Sequence, residues 1–192
     1  MSVEVEVVHE VTDELVDAAR HLLPQLSSSA APPGANELGR IVSHQATSLF
    51  TARSQGRIVG MLTLVTFPLP SGFRARIEDV VVDQDARGQG VGTALTMAAL
   101  ELAEAQGARS IDLTSRASRV EANRLYQQLG FRLRDSNVYR YQPEPRPALS
   151  PAAAGSSVEP ELPLEDPGDR RQRGRAGPEV AEVDLDSRNR SM

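Results

Sequence analysis

A glycine-rich stretch between a β-branched run and a helix-like run constrains this chain most. Residues Val80–Val82 lead into an acidic turn, after which glycines occupy positions 88, 90 and 92. Glycine has no Cβ, so it adopts positive φ readily and lets the backbone approach a ligand closely. A helix that begins at such a loop presents unpaired N–H groups and the positive end of its dipole. The stretch therefore predicts a strand–loop–helix unit that binds phosphate through its backbone.

Three phosphate-binding patterns compete for this loop. A P-loop requires Gly-Lys-Ser/Thr, and the chain contains no lysine. A dinucleotide-binding loop requires a third glycine where Thr93 stands. The pattern Arg/Gln-x-x-Gly-x-Gly/Ala is matched at every fixed position by Arg87-Gly-Gln-Gly90-Val-Gly92. An ordinary glycine-rich turn is the simpler alternative, because short motifs also occur by chance.

A second motif follows a strand-like run at Ser110–Thr114. It reads Asn123-Arg-Leu-Tyr126-Gln-Gln-Leu-Gly130-Phe131. Together the two motifs resemble the GNAT superfamily, the acyl-CoA-dependent N-acetyltransferases, which carry an Asn…Tyr…Gly-Phe signature in this place. The resemblance covers roughly residues 3–142 and is densest from Ile77 to Phe131.

Hydrophobic periodicity and the resemblance together predict an α/β (α+β) fold. We expect a GNAT-like mixed, largely antiparallel central sheet of six to seven strands, with helices on both faces. The final strands are expected at residues 131–133 and 138–141. The resemblance further implies that strand 4 is splayed away from strand 5 by a bulge.

Three helix boundaries are also expected from local signals. Pro24 should end a helix that begins at Asp13, because proline cannot continue the hydrogen-bond ladder. The main helix is predicted from Gly90 to Gln106, with a glycine as its stop. A capping box that begins at Ser118 predicts the start of the last helix.

The composition changes abruptly at Pro143. Residues 1–142 read as one N-acetyltransferase domain, whereas residues 143–192 are rich in proline, alanine, glycine and charged residues. A segment of that composition buries too little apolar surface to offset its ordering entropy. We therefore predict a disordered C-terminal tail.

Charge and composition exclude several classes of function. A net charge of −5 argues against a general nucleic-acid binder. The chain has no cysteine, and its three histidines show no metal-ligand spacing, so we expect neither a disulfide nor a metal site. No signal peptide is visible and no apolar run approaches about 18 residues, so we expect a cytoplasmic protein without a membrane contact.

The resemblance implies acetyl-CoA as cosubstrate. Backbone N–H groups of the glycine loop would hold its diphosphate, and the backbone of strand 4 would pair with its pantetheine arm. An amide N–H near Val80 would face the thioester oxygen, while the neighbouring valine side chains belong to the core. The expected coenzyme-binding residues are Val80, Val81, Val82, Arg87, Gly88, Gln89, Gly90, Val91, Gly92, Thr93, Asn123 and Tyr126.

Two residues are expected to move protons. Tyr126 matches the family's proton donor to the coenzyme A thiolate, and a phenol with a reference pKa near 10 is protonated at neutral pH. Packing against Phe131 is the alternative role. Glu78 and Asp79 stand side by side and would point to opposite faces of a strand, so either could face the cleft as a base, directly or through a water. Glu78 is the favoured candidate, and Ile77-Glu-Asp-Val-Val-Val-Asp83 looks like the strand of amino-sugar acetyltransferases in which an acid lies near the reacting centre. An exposed acid on the sheet is the alternative there.

The resulting hypothesis is acetyl transfer to a primary amine, with a small molecule or amino sugar favoured over a protein. Direct transfer is expected, because no cysteine is present to carry the acyl group. The competing hypothesis is a non-catalytic acyl-CoA-binding sensor or assembly module. Homodimerisation through the last strands is a further expectation.

Overall fold

A computed structural model describes residues 2–27 and 31–143, so the predicted tail lies almost entirely outside the described residues. The chain divides into two units, residues 1–137 and 138–192. Helices and strands of the described residues all belong to the first unit. The strands are β1 (Glu4–Val7), β2 (Thr47–Ser54), β3 (Arg57–Phe67), β4 (Arg74–Val82) and β5 (Ile111–Leu113). The helices are α1 (Asp13–Leu26), α2 (Ala35–Val42), α3 (Val91–Ala105) and α4 (Val120–Gln128), with a 3-10 turn at Gln84–Ala86.

The strands form one sheet in the order β1-β2-β3-β4-β5. The first four strands pair antiparallel and β5 pairs parallel with β4, so the predicted mixed, largely antiparallel sheet is confirmed. Each face of the sheet has its own core. Leu62, Leu64 and Ile77 are buried on the face that packs against α3, whereas Met61 and Val81 are buried among residues of α1 and α2.

The expectation of six to seven strands is wrong, since the sheet has five among the described residues. Residues 131–133 and 138–141 form no strand, and Leu133 is 96% exposed. A strand forms where a neighbouring strand can accept its hydrogen bonds, and β5 offers a ladder of only three residues. Alternating apolar residues were therefore a necessary signal for a strand but not a sufficient one.

The predicted end of the first helix is also wrong, because α1 continues past Pro24 to Leu26. Proline removes one backbone donor, but this loss is small in the last turn, where few hydrogen bonds remain to be made. The Ser27 N–H still bonds to the Leu23 carbonyl at 3.0 Å. The two added residues, Gln25 and Leu26, become part of the candidate site described below.

A bulge in β4 changes which way its side chains point. Met61 lies opposite Val81 and Thr63 lies opposite Glu78, so the two residues between them on β4 face a single residue of β3. One of the two is Asp79, whose φ of 50° lies in the left-handed region. The bulge places Val80 on the α3 face, while Glu78 shares the opposite face with Thr63.

The pairing of β4 with β5 ends before β4 does. The last paired residues are Ile77 and Leu113, whereas β4 continues to Val82. The backbone of Asp79 and Val80 also has no register partner on β3. The two strands therefore part within the stretch that the resemblance assigns to the pantetheine arm.

Candidate active site

A cavity of about 820 Å³ lies between β4, the glycine loop, α4 and the last turn of α1. This volume is within the range of small-molecule sites. It brings together most of the residues expected to bind coenzyme: Val80, Val81, Val82, Arg87, Gly88, Gly90, Val91, Gly92, Thr93 and Tyr126. Gln89, Asn123 and Glu78 do not line it.

The glycine loop presents bare backbone to this cavity. Gly88 and Gly90 have φ of 73° and 83°, and a Cβ added to either would meet no atom within 4 Å. Gly90 is the N-cap of α3, where no side chain caps the helix and the first turn carries no acid. The first N–H groups of α3 thus lack a side-chain acceptor and lie at the positive end of its dipole. This arrangement fits an anion such as a diphosphate.

Gly92 has a different role, because it lets α3 approach α4. A Cβ at this position would lie 3.2 Å from Leu125 Cδ1, closer than ordinary van der Waals contact. The buried Thr96 hydroxyl donates to the Gly92 carbonyl at 2.8 Å. Close packing here holds Tyr126, the neighbour of Leu125 on α4, beside the entrance of α3.

The last turn of α1 is bonded to the segment that leads into the loop. The Gln84 N–H donates to Gln25 Oε1 at 2.9 Å, and His21 Nε2 lies 2.7 Å from Asp83 Oδ2. The Asp85 N–H and His21 lower the pKa of Asp83. Sequence reasoning missed these contacts, because no local pattern joins residues so far apart in the chain.

Tyr126 is half-buried in the cavity wall. Burial raises the pKa of Tyr126, and the positive charge of Arg119 partly opposes that rise. The phenol is therefore protonated at neutral pH. Among the described residues, none forms a hydrogen bond with its hydroxyl, while its ring packs edge-on against Phe131. The ring and the hydroxyl thus have separable roles.

Glu78 and Asp79 lie at the bulge and outside the cavity lining. The Glu78 carboxylate forms an ion pair with Arg76 on the face away from α3. Partial desolvation raises the pKa of Asp79, and the adjacent Glu78 raises it further. The candidate base is thus on the face of β4 away from α3, near the point where the strands part, whereas Tyr126 lines the cavity.

Three predicted contact residues brace the loops by their side chains. Arg87 Nε donates to the Val82 carbonyl at 3.3 Å, and Gln89 Nε2 donates to the Asp85 carbonyl at 2.9 Å. Asn123 Nδ2 donates to the Arg116 carbonyl at 2.9 Å, and so fixes the loop before α4.

The expected capping box at the start of α4 is absent. Arg119, rather than Ser118, is the N-cap, and no side chain bonds there. Arg119 Nη2 instead reaches the Leu26 carbonyl of α1 at 3.1 Å, and both residues line the cavity. No carboxylate of the described residues pairs with Arg119, so a cation without an acidic partner borders the site.

Residues 2–27 and 31–143 contain no group of three or more His, Cys, Asp or Glu side chains that could hold a metal ion. Within the same ranges, no helix is both long and apolar enough to cross a bilayer.

Known proteins similar to this chain include a glucosamine 6-phosphate N-acetyltransferase of Trypanosoma brucei brucei. It is 37% identical over 95 residues, which are 48% of this chain and 63% of that protein. A crystal structure of a Trypanosoma brucei acetyltransferase is 29% identical, with a TM-score of 0.60 over 73% of this chain and 100% of that one. A transcriptional regulator from Bacillus halodurans C-125 is 27% identical, with a TM-score of 0.63 over 72% of this chain and 100% of that one.

The chain spans less than two thirds of the length of the curated relatives that it matches. The family profile, in contrast, covers residues 10–131 and includes the glycine loop, β4 and the Tyr126 helix. Because this match exceeds half of the chain, the protein belongs to the acetyltransferase (GNAT) family.

Proposed function

We propose that this protein transfers an acetyl group from acetyl-CoA to a primary amine of a small molecule. One observation carries the proposal. Helix α3 starts at Gly90 without a side-chain cap, and this start borders the same cavity as Tyr126, whose hydroxyl has no hydrogen-bond partner among the described residues. Family membership supports the same chemistry. Acetyl-CoA would supply the acetyl group as an activated thioester.

The residues present fit this coenzyme. The N–H groups from Gly88 to Gly92 would donate hydrogen bonds to the diphosphate oxygens, and the Thr93 hydroxyl would add a contact. The unpaired backbone of β4 at Val80 would hold the pantetheine arm in the manner of an added strand. Its amide N–H would also stabilise charge on the thioester oxygen during transfer.

Proton transfer would use two residues near the point where the strands part. Tyr126 would donate a proton to the departing thiolate from the cavity wall. Glu78 would take a proton from the attacking amine on the face of β4 away from α3, directly or through one water. Because the chain has no cysteine, a direct attack on the thioester is the simplest route.

For the acceptor, we propose a small amine that carries an anionic group, such as an amino-sugar phosphate. Arg119 supports this class, because its guanidinium lines the cavity without a carboxylate partner among the described residues. The relative that is 37% identical is named for glucosamine 6-phosphate, which combines an amine with a phosphate.

A thiol-release assay tests the proposal. The full chain is incubated with acetyl-CoA and, in parallel, glucosamine 6-phosphate, glucosamine and an amine-bearing peptide. We expect release with at least one small amine and a higher kcat/KM for the phosphorylated sugar. Saturable acetyl-CoA binding without turnover on any amine would contradict catalysis and favour the acyl-CoA-binding module. Equal kcat/KM for both sugars would reject the anionic acceptor.

A further inference from the structure

We propose that Arg76 is a positioning residue that fixes the Glu78 carboxylate where β4 and β5 part. This inference rests on the proposed function, in which Glu78 accepts the proton of the amine. Arg76 itself does not line the cavity, and it would act only through Glu78.

A single guanidinium joins the two strands. Arg76 Nε donates to Glu78 Oε1, and Arg76 Nη2 donates to Thr114 Oγ1 at 2.6 Å. Arg76 and Glu78 are two residues apart on β4, so they share a face of the sheet. Thr114 directly follows the last residue of β5. The guanidinium therefore bridges β4 to the end of β5.

This bridge lies just beyond the last backbone pairing. Ile77 and Leu113 are the last partners in the β4–β5 ladder, and Glu78 and Thr114 follow them immediately. The bulge at Asp79 then redirects β4. The β4–β5 ladder therefore does not reach Glu78, whose backbone pairs with Thr63 of β3, and without Arg76 its side chain would lose its tie to β5 and be free to rotate. Because a guanidinium group is rigid and planar, Arg76 can hold Glu78 Oε1 and Thr114 Oγ1 at once in a fixed geometry.

The pair leaves one carboxylate oxygen available. Within the described part of the chain, no donor bonds to Glu78 Oε2, and the side chains of Arg76 and Glu78 are 39% and 44% exposed. An amine or a water can therefore reach Oε2 while Arg76 holds Oε1. Arg53 provides the contrast, because it occupies both oxygens of Glu14 at 2.7 Å each. That second geometry suits a structural tie, because each Glu14 oxygen already accepts a bond from a guanidinium nitrogen.

The test compares Arg76→Gln with Arg74→Gln. Arg74 occupies the same face of β4, but its guanidinium donates to the Ser71 hydroxyl rather than to a carboxylate. We expect Arg76→Gln to lower kcat by at least about tenfold, with the acetyl-CoA KM little changed. Arg74→Gln should keep both the kcat and the acetyl-CoA KM of the wild type.

A second pair of variants isolates the link to β5. Thr114→Val removes the acceptor of Arg76 Nη2 and keeps the ion pair, whereas Thr114→Ser keeps a hydroxyl. We expect the valine variant to lose part of kcat and the serine variant to regain most of it. This pair decides the matter if Arg76→Gln does not fold, as judged by circular dichroism. Equal kcat for valine and serine would then overturn the bridge.

The outcomes separate the two levels of the proposal. If Glu78→Gln loses activity most at low pH but Arg76→Gln keeps the wild-type kcat, Arg76 has no positioning role and the base survives. If Glu78→Gln has no effect, or the same effect at every pH, the base assignment fails and the role of Arg76 fails with it. Thiol release from acetyl-CoA by the wild type with any amine leaves the acetyl-transfer proposal standing in both cases.

Discussion

The rings of Tyr126 and Phe131 meet edge to face, with centroids 5.8 Å apart and an interplanar angle of 69°. The Phe131 N–H also bonds to the Tyr126 carbonyl at 3.0 Å, so the turn after α4 fixes the ring. The ring packing and the backbone hydrogen bond explain where the Tyr126 ring lies, but neither contact involves its hydroxyl. The hydroxyl is therefore the part of Tyr126 that we assign to chemistry.

Tyr126→Phe should lower kcat by about 10²-fold, because it removes the proton donor and keeps the ring. The acetyl-CoA KM and the melting temperature should stay near those of the wild type. Steady-state kinetics with acetyl-CoA and the best amine measure the effect. An unchanged kcat would leave Tyr126 with a packing role alone.

Glu78→Gln should depress kcat/KM most at low pH, where the acceptor amine is protonated and a base is most needed. Glu101→Gln is the matched control, because Glu101 is an exposed acid on α3 outside the cavity lining. A pH–rate profile of both variants makes the comparison. A uniform loss across pH would remove Glu78 from the mechanism.

Gly90→Ala should weaken acetyl-CoA binding, because the new methyl group would project from the backbone that borders the cavity. The positive φ adds a strain of about 1 kcal/mol. Gly107→Ala provides a control at the other end of α3, since Gly107 has φ of 81° and equally open surroundings. Both variants should lose similar stability, but only Gly90→Ala should raise Kd. Equal Kd values for the two would contradict the role of this loop.

Gly60→Ala should destabilise the fold by about 1–3 kcal/mol, the usual cost of overpacking a core. A Cβ there would lie 2.9 Å from Val91 Cγ1 and 3.0 Å from Leu95 Cδ1. Gly39→Ala in α2 meets no atom within 4 Å and should instead add up to about 1 kcal/mol. Urea denaturation gives both free energies of unfolding. A neutral Gly60→Ala would show that β3 and α3 are not closely packed.

The glycine loop and the Tyr126 helix could be predicted because their signals are local. Positive φ favours glycine at Gly88 and Gly90, and the apolar, proline-free run that follows them favours the helix α3. The bulge in β4 was implied by the family resemblance alone and has no such local signal. Asp79 adopts positive φ without being a glycine, so the residues themselves do not mark its position.

Contacts between distant segments were not visible in the sequence. The bond from Gln84 to Gln25 depends on α1 passing Pro24, where the local rule for proline predicts an end. The reach of Arg119 to Leu26 depends on how α1 and α4 flank the sheet. Strand count failed for a related reason, because the alternating residues from Phe131 to Tyr141 have no long ladder to join.

Calorimetric titration of coenzyme A and of pantetheine into the full chain tests most directly whether the start of α3 binds a diphosphate. We predict saturable binding of coenzyme A at one site and much weaker binding of pantetheine, which has the same thiol arm but no phosphate. If the folded protein, verified by circular dichroism, binds no coenzyme A, or binds pantetheine equally tightly, the glycine loop is not the coenzyme anchor.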